Sequence, residues 1–274
     1  MDEKVNKIVI ADMDGTITAA RTTIDDDNTQ SIIDFLSDST DNIFAIVSGS
    51  SWNLIKEQCH KFFLKVANLN LFSQVKILPC NGTQKVSYDE KEKTFTLDTS
   101  ISMKDEIGID CFNELIFTLM SCHSEIIKGS SQDYFSGTFL EYRGSRLNWA
   151  IPGRNTSREG RARFAKRDQK FKIRQRLIAK VSEILNPSVF SKLEFKIGGE
   201  ISIDILPRGW NKTYCMNHLP SNWSKIYFLG DRCLPGQNDY EIYKLIHDKK
   251  EGKSFIIEDH ENFKNIMKLI TTER

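Results

Sequence analysis

Apolar runs with little or no polar interruption recur near both ends of this chain. Ile8-Val-Ile10 stops at Asp12, Ile43-Phe-Ala-Ile-Val47 stops at Ser48, and Val75-Lys-Ile-Leu78 stops at Pro79. Ile226-Tyr-Phe-Leu229 stops at Gly230, and Ser254-Phe-Ile-Ile257 is the last of the series. A strand covered on both faces needs no alternation, so such runs predict buried parallel strands. Between the first two, Asp25-Asp-Asp-Asn28 offers a cap for a helix striped with Ile32, Ile33 and Leu36. Helices are also predicted over Thr213 to Leu219, from near Tyr240, and over Glu261 to Ile270. The order β-α-β-α-β argues for a parallel sheet with helices on both faces.

The middle of the chain has a different grain. Val86-Tyr88 and Phe95-Leu97 flank the polar Asp89-Glu-Lys-Glu-Lys93 and predict a hairpin. Met103 to Cys122 predicts one amphipathic helix. Ile126-Ile127, Thr138 to Tyr142 and Leu147 to Trp149 read as half-buried, antiparallel strands, and Phe195-Lys-Ile197 and Ile201 to Leu206 as two more. Asn155-Thr-Ser157 caps a predicted long helix running towards Leu185. The fold class is therefore α/β, a Rossmann-like core with an inserted α+β domain. The expected division is residues 1–83 and 207–274 for the core and 84–206 for the insert.

Composition narrows the class. The 274 residues are 39% hydrophobic and 27% charged, with a formal net charge of +1, so nothing drives the whole chain towards nucleic acid or an anionic membrane. No apolar stretch approaches the roughly 20 residues that span a bilayer. Met1 to Lys4 leads straight into the first strand without a signal-peptide core, which sets the expectation of a cytoplasmic protein. Six scattered cysteines without a C-x-x-C pair fit reduced thiols rather than a zinc site. The helix after Arg154 carries nine cations from Arg158 to Arg176. A nucleic-acid surface is one reading, but Phe164, Phe171 and Leu177 give it an inner side. A solvated face explains the charges with less, and no nucleic-acid partner is expected.

Candidate chemistry gathers at the strand ends. Asp12 and Asp14 close the first strand, and Gly15 follows where the chain must turn. One carboxylate can attack phosphorus while the other handles protons, and a divalent cation relieves their repulsion. Ser50 leaves the second strand at a helix start, where backbone N–H groups and a hydroxyl suit a phosphate. Lys212 offsets phosphate charge, and Asp231, with Asn238-Asp239 behind it, suits a magnesium ligand.

The pattern D-x-D-G-T at Asp12 resembles motif I of the haloacid-dehalogenase superfamily, and the four elements match that superfamily's four motifs in order. A narrower resemblance spans almost the whole chain. Asp12 to Arg21, Gly137 to Arg143, Leu147 to Arg154, Gly198 to Asp204, Gly209-Trp-Asn-Lys212 and Gly230 to Asp239 resemble the eukaryotic-type phosphomannomutases. This resemblance implies that Asp12 is the nucleophile and Asp14 the general acid/base. It also implies that Mg2+ is held by Asp12, the backbone carbonyl of Asp14, and Asp231. Arg21, Arg143 and Arg154 are assigned to the phosphate and sugar of the substrate, and Ser202 and Asp204 to sugar hydroxyls, with Asn148 in the matching cap segment. The implied partners are a sugar phosphate, a hexose bisphosphate activator, and a second copy of the chain joined through the cap.

Three positions depart from the family pattern. Ser136 stands where a basic residue usually precedes Gly-Thr-Phe, Asn211 replaces the usual Asp before the lysine, and Cys80 replaces an acid before Asn-Gly. The implied activity is interconversion of mannose 6-phosphate and mannose 1-phosphate through an aspartyl-phosphate. A magnesium-dependent sugar-phosphate phosphatase on the same scaffold is the alternative.

Overall fold

The computed structural model describes residues 5–129 and 135–273. The chain forms two compact units, one running to Ser100 and resuming at Asn211, the other from Ile101 to Trp210. In chain order the strands are β1 (Val5–Ala11), β2 (Ile43–Val47), β3 (Val75–Leu78), β4 (Gln84–Asp89) and β5 (Thr94–Ser100) in the first unit. The inserted unit holds β6 (Leu140–Tyr142), β7 (Leu147–Ala150), β8 (Leu193–Gly198) and β9 (Ser202–Pro207), after which β10 (Trp223–Gly230) and β11 (Gly252–Ile256) return to the first.

The core sheet has the order β11-β10-β1-β2-β3-β4-β5. Its first five strands are parallel, and β4 and β5 join antiparallel. Alternate residues of β1 enter two separate apolar clusters. Val9 and Ala11 pack with Phe35, Phe263 and Met267, whereas Ile8 and Ile10 pack with Cys215, Ile242 and Ile246. That two-sided burial explains the unbroken apolar run, and each such side chain contributes about 1.5–3 kcal/mol on leaving water. Asp25 caps the helix Asp26–Asp38 by accepting from the Asn28 amide at 2.7 Å.

Four expectations change. The Gln84–Ser100 hairpin belongs to the core sheet, through the pairing of Ile77 with Val86. Tyr88 stacks on Phe72 at 4.1 Å between ring centroids, and Phe95 lies 5.0 Å from Trp52, so the hairpin's aromatics complete the core cluster. The predicted helix from Met103 breaks at Gly108, φ +86°, into Met103–Ile107 and Ile109–Gly129. Ile126 and Ile127 lie in the second of these helices, not in a strand, because their stretch continues the helical spacing of Leu115, Leu119 and Cys122. The long basic helix breaks at Lys172, φ +53°, into Arg158–Phe171 and Ile173–Ile184. Asp168 causes this break: its buried carboxylate accepts from the Arg174 amide and from Arg174 Nε, both at 2.8 Å, and its carbonyl accepts the Lys172 amide.

The inserted sheet has the order β6-β7-β9-β8, antiparallel throughout. Leu147, Trp149, Ile203 and Ile205 are buried on one face. Trp149 Nε1 donates to His123 Nδ1 at 3.1 Å, tying that face to the helix Ile109–Gly129. Pairing across the sheet aligns Glu141, Asn148, Asp204 and Lys196 in one polar row.

Candidate active site

The strands β1 and β10 end side by side, with the Asp12 amide donating to the Leu229 carbonyl at 2.9 Å. Asp12 is 4% exposed and is bridged to Asp239, which is fully buried, by the ammonium of Lys212. Carboxylate oxygens of Asp12, Asp231 and Asp239 lie within 4.8 Å of one another. Two buried carboxylates, Asp12 and Asp239, thus share the Lys212 ammonium, and Asp231 beside them faces the more exposed Arg232, whose Nε lies 3.6 Å from its Oδ2. Burial, reinforced by Asp239 and Asp231 and opposed by Lys212, pushes the Asp12 carboxyl up to about 7. Burial and the neighbouring Asp239 also raise Asp231. For Lys212, burial is outweighed by Asp12 and Asp239, which hold the amine charged well above its ordinary range.

This excess of negative charge is what a divalent cation would neutralise. The Asp231 Oδ1 atom is buried without a hydrogen-bond partner among the described residues. An orphaned carboxylate oxygen beside two other carboxylates is the donor set of a hard cation, so the residues present fit a metal. Two glycines make the crowding possible. At Gly15, φ +93°, a Cβ would sit 2.4 Å from Asp231 Oδ2, and at Gly230 one would sit 2.7 Å from Asp239 Oδ2.

Asp14 points to a different set of partners. Its Oδ1 accepts from the Arg21 amide at 2.8 Å and from Gln58 Nε2 at 2.9 Å, and its Oδ2 lies 3.5 Å from the Ser50 hydroxyl. Arg21 is exposed with φ +60°, and its backbone, rather than its guanidinium, reaches Asp14. The Ser50 turn is anchored to the exit of β3, where the Cys80 amide donates to the Ser50 carbonyl at 3.0 Å and the Asn81 amide to Ser48 at 2.8 Å. Asn211 caps the 3-10 turn Lys212–His218, accepting from the Thr213 amide at 2.9 Å and its hydroxyl at 2.6 Å. The amide oxygen thereby caps the turn on which Lys212 sits.

The inserted unit joins four of its expected residues in one chain of contacts. Arg143 Nη2 donates to Glu141 Oε2 at 2.6 Å, and Arg154 Nε lies 3.1 Å from the same oxygen. Arg154 Nη1 donates to Asn148 Oδ1 at 3.1 Å, and Asn148 Nδ2 donates to Asp204 Oδ1 at 2.6 Å. Partial burial works to raise the Glu141 carboxyl, but the Arg143 bond and the charges of Arg143, Arg154 and Arg146 outweigh it and hold it below the usual carboxylate range. Ser202 is buried two residues before Asp204, and its carbonyl accepts from Arg174 Nη1 at 2.9 Å. At the departure position, Ser136 Oγ lies 2.9 Å from Thr156 Oγ1.

Sequence reasoning assigned no role to three residues that the geometry brings in. Asp239 was grouped with Asp231 by proximity, and only the fold sets it against Lys212. Gln58 and Glu141 carried no signal, because a lone amide at a helix end and a lone acid on a strand are ordinary surface residues.

Comparison with known proteins identifies the family. The sequence model described as eukaryotic phosphomannomutase matches residues 32–270. Phosphomannomutase 1 of Dictyostelium discoideum is 32% identical over 264 residues, covering 96% of this chain and 95% of its own length. The phosphomannomutase of Arabidopsis thaliana is 33% identical, covering 86% of this chain and 87% of its own. Among solved structures, a trehalose-6-phosphate phosphatase of Aspergillus fumigatus superposes with a TM-score of 0.57 at 12% identity, over 98% of this chain and 93% of that one. An IMP-nucleotidase of Plasmodium falciparum superposes with a TM-score of 0.61 at 13% identity, over 97% of this chain and 66% of that one. At such identities these two establish the shared fold alone. The family match over most of the length, with the Asp12, Lys212 and Asp231 cluster assembled at the strand ends, means that this chain belongs to the eukaryotic phosphomannomutase family of enzymes.

Proposed function

We propose that the enzyme moves a phosphoryl group between C6 and C1 of mannose, by way of an aspartyl-phosphate on Asp12 and a hexose bisphosphate. The observation that carries this reading is Lys212 bridging Asp12 and Asp239 beside Asp231, in a site dry enough to make each charge count. Asp12 attacks the phosphorus of a bisphosphate, and Asp14 gives its proton to the departing sugar oxygen. When the next hydroxyl attacks the aspartyl-phosphate, Asp14 takes that proton back as the Asp12–phosphorus bond breaks. Lys212 holds Asp12 in line and compensates charge, and Ser50 offers its hydroxyl to a phosphoryl oxygen. A magnesium ion on Asp12, Asp231 and the Asp14 carbonyl, with Asp239 adjacent, would supply the remaining positive charge when bound.

The inserted unit supplies the other recognition. Arg143 and Arg154 present the paired N–H groups that suit a phosphate which must not react while its twin does. Arg21 is the third candidate for that phosphate and the sugar. Asn148, Ser202 and Asp204 suit sugar hydroxyls. Only a protein that holds both phosphates can return the bisphosphate to the site in reversed orientation, which is the difference between a mutase and a phosphatase. The test is incubation with mannose 1-phosphate, magnesium and a hexose bisphosphate, following mannose 6-phosphate and free phosphate together. Mannose 6-phosphate should dominate, and Asp12→Asn should abolish it while the protein still folds and binds sugar phosphate. Free phosphate alone would replace this reading with a phosphatase.

A further inference from the structure

Gln58 is the last residue of the helix Trp52–Gln58 and is 3% exposed. Its Nε2 donates to Asp14 Oδ1 at 2.9 Å and to the Thr22 carbonyl at 3.0 Å. Both partners are acceptors, so the amide has one sensible orientation. That orientation leaves Gln58 Oε1 buried without a hydrogen-bond partner among the described residues. An orphaned buried acceptor is costly, and an apolar side chain of the same length would avoid it. The donor side of the amide therefore has to be worth keeping.

Asp14 shows what it is kept for. Oδ1 already accepts two N–H groups, from Gln58 and from the Arg21 backbone. An oxygen facing two donors cannot carry the carboxyl proton, because its O–H would point at other hydrogens. Oδ2, near the Ser50 hydroxyl, is the oxygen left to give and take a proton. We infer that Gln58 is a positioning residue which pins Asp14 Oδ1 and so reserves Oδ2 for proton exchange with the attacking and departing hydroxyls. This rests on the phosphoryl-transfer reading above. In the step it serves, the hydroxyl O–P bond forms, the Asp12 O–P bond breaks, and the hydroxyl proton passes to Asp14 Oδ2. The Arg21 amide cannot do the task alone, since the Ser50 hydroxyl reaches Oδ2 only at 3.5 Å and a single close donor on Oδ1 leaves the carboxylate free to swing about that bond.

The test is Gln58→Met, which keeps the length, loses the donor and removes the orphaned acceptor. Its thermal midpoint should stay close to that of the wild type, since the orphaned acceptor it removes offsets the donor lost to Asp14 and the Thr22 carbonyl. In the mutase assay kcat should fall roughly 10- to 100-fold, the scale of a misplaced but present acid/base group, with KM within about threefold. With labelled acetyl phosphate and magnesium, acid quenching should trap more aspartyl-phosphate on this variant than on the wild type. Its formation expels a good leaving group unaided, whereas its breakdown needs Asp14. A kcat within threefold of wild type, a loss confined to KM, or label falling in step with turnover would each overturn the role. Should Gln58→Met not fold, Gln58→Glu keeps the shape but sets an acceptor against Asp14, and full turnover there overturns the role equally. Absence of label on the wild-type protein would instead overturn the aspartyl-phosphate reading itself, whatever Gln58 does.

Discussion

The two polar clusters of this enzyme are built on opposite terms. In the core, Lys212 and Asp239 are 1% and 0% exposed, and every charge is locked by another charge. On the inserted sheet, Glu141, Arg143 and Arg154 keep side chains 38%, 24% and 28% exposed, and the two guanidinium groups share one carboxylate. A dry, crowded site keeps its geometry through the reaction and needs no reorganisation when charge develops. A half-exposed set of ion pairs is worth only about 0–1 kcal/mol each, so its arginines can exchange Glu141 for a phosphate at little cost. On the proposed reading, chemistry sits where desolvation enforces rigidity, and recognition where contacts can be traded.

The sharpest way to break this contrast is Lys212→Met. Removing the ammonium strands Asp12 and Asp239 as buried, uncompensated carboxylates, which should cost about 3–5 kcal/mol of stability. Turnover should fall by about 10³-fold or more, since a preorganised charge is lost along with the alignment of Asp12. Denaturant midpoints and kcat measured together decide it, and a variant as stable as wild type would show that the core charges are solvated after all. Next in size are Arg143→Ala and Arg154→Ala. Each should lower mutase kcat/KM by about 10- to 100-fold, because remote binding energy orients the sugar. Stability should move by less than about 1 kcal/mol, and hydrolysis of acetyl phosphate should stay within twofold. An equal loss on acetyl phosphate would mean that these arginines act on the reacting phosphate.

Glu141→Gln probes the same cluster from the other side. With the competing carboxylate gone, the arginines are less tied to the sheet, and KM for the sugar phosphate should fall by roughly two- to threefold. A several-fold rise in KM would make Glu141 the residue that aims the arginines. The smallest effect belongs to Ser136→Arg, which restores the basic residue usual before Gly-Thr-Phe. Among the described residues the Ser136 side chain holds the Thr156 hydroxyl, and an added guanidinium should raise the ratio of mutase to phosphatase product by about twofold. Unchanged product ratios, with mannose 6-phosphate absent from both proteins, would sink the mutase reading and leave a phosphatase.

The parallel strands were legible because burial on both faces leaves a local trace, an apolar run ending in a polar or small residue, at β1, β2 and β10 alike. The breaks at Gly108 and Lys172 were not. Glycine inside a helical pattern is tolerated more often than it interrupts, and Lys172 turns only because Asp168 and Arg174 meet in the folded unit. The hairpin of β4 and β5 was read correctly as a hairpin but given to the wrong unit. Its alternation is the same in either sheet, and its place was decided by Ile77 pairing with Val86 and by Phe72 stacking on Tyr88.

By itself, then, the order of residues determined the strand-end positions of Asp12, Asp14, Ser50 and Asp231, since a strand's end and the turn after it are short-range properties. It also identified the family, because six motifs in order are a property of the string. Tertiary structure decided which of these residues pair with which, and brought in Gln58. Lys212 lies 200 residues from Asp12, and Gln58 lies 44 from Asp14. Pairings over such separations are selected by the packing of whole sheets and helices, and no local pattern encodes them. The motif Gly209-Trp-Asn-Lys212 marks this lysine in the sequence, but that it bridges Asp12 and Asp239 is a product of the fold.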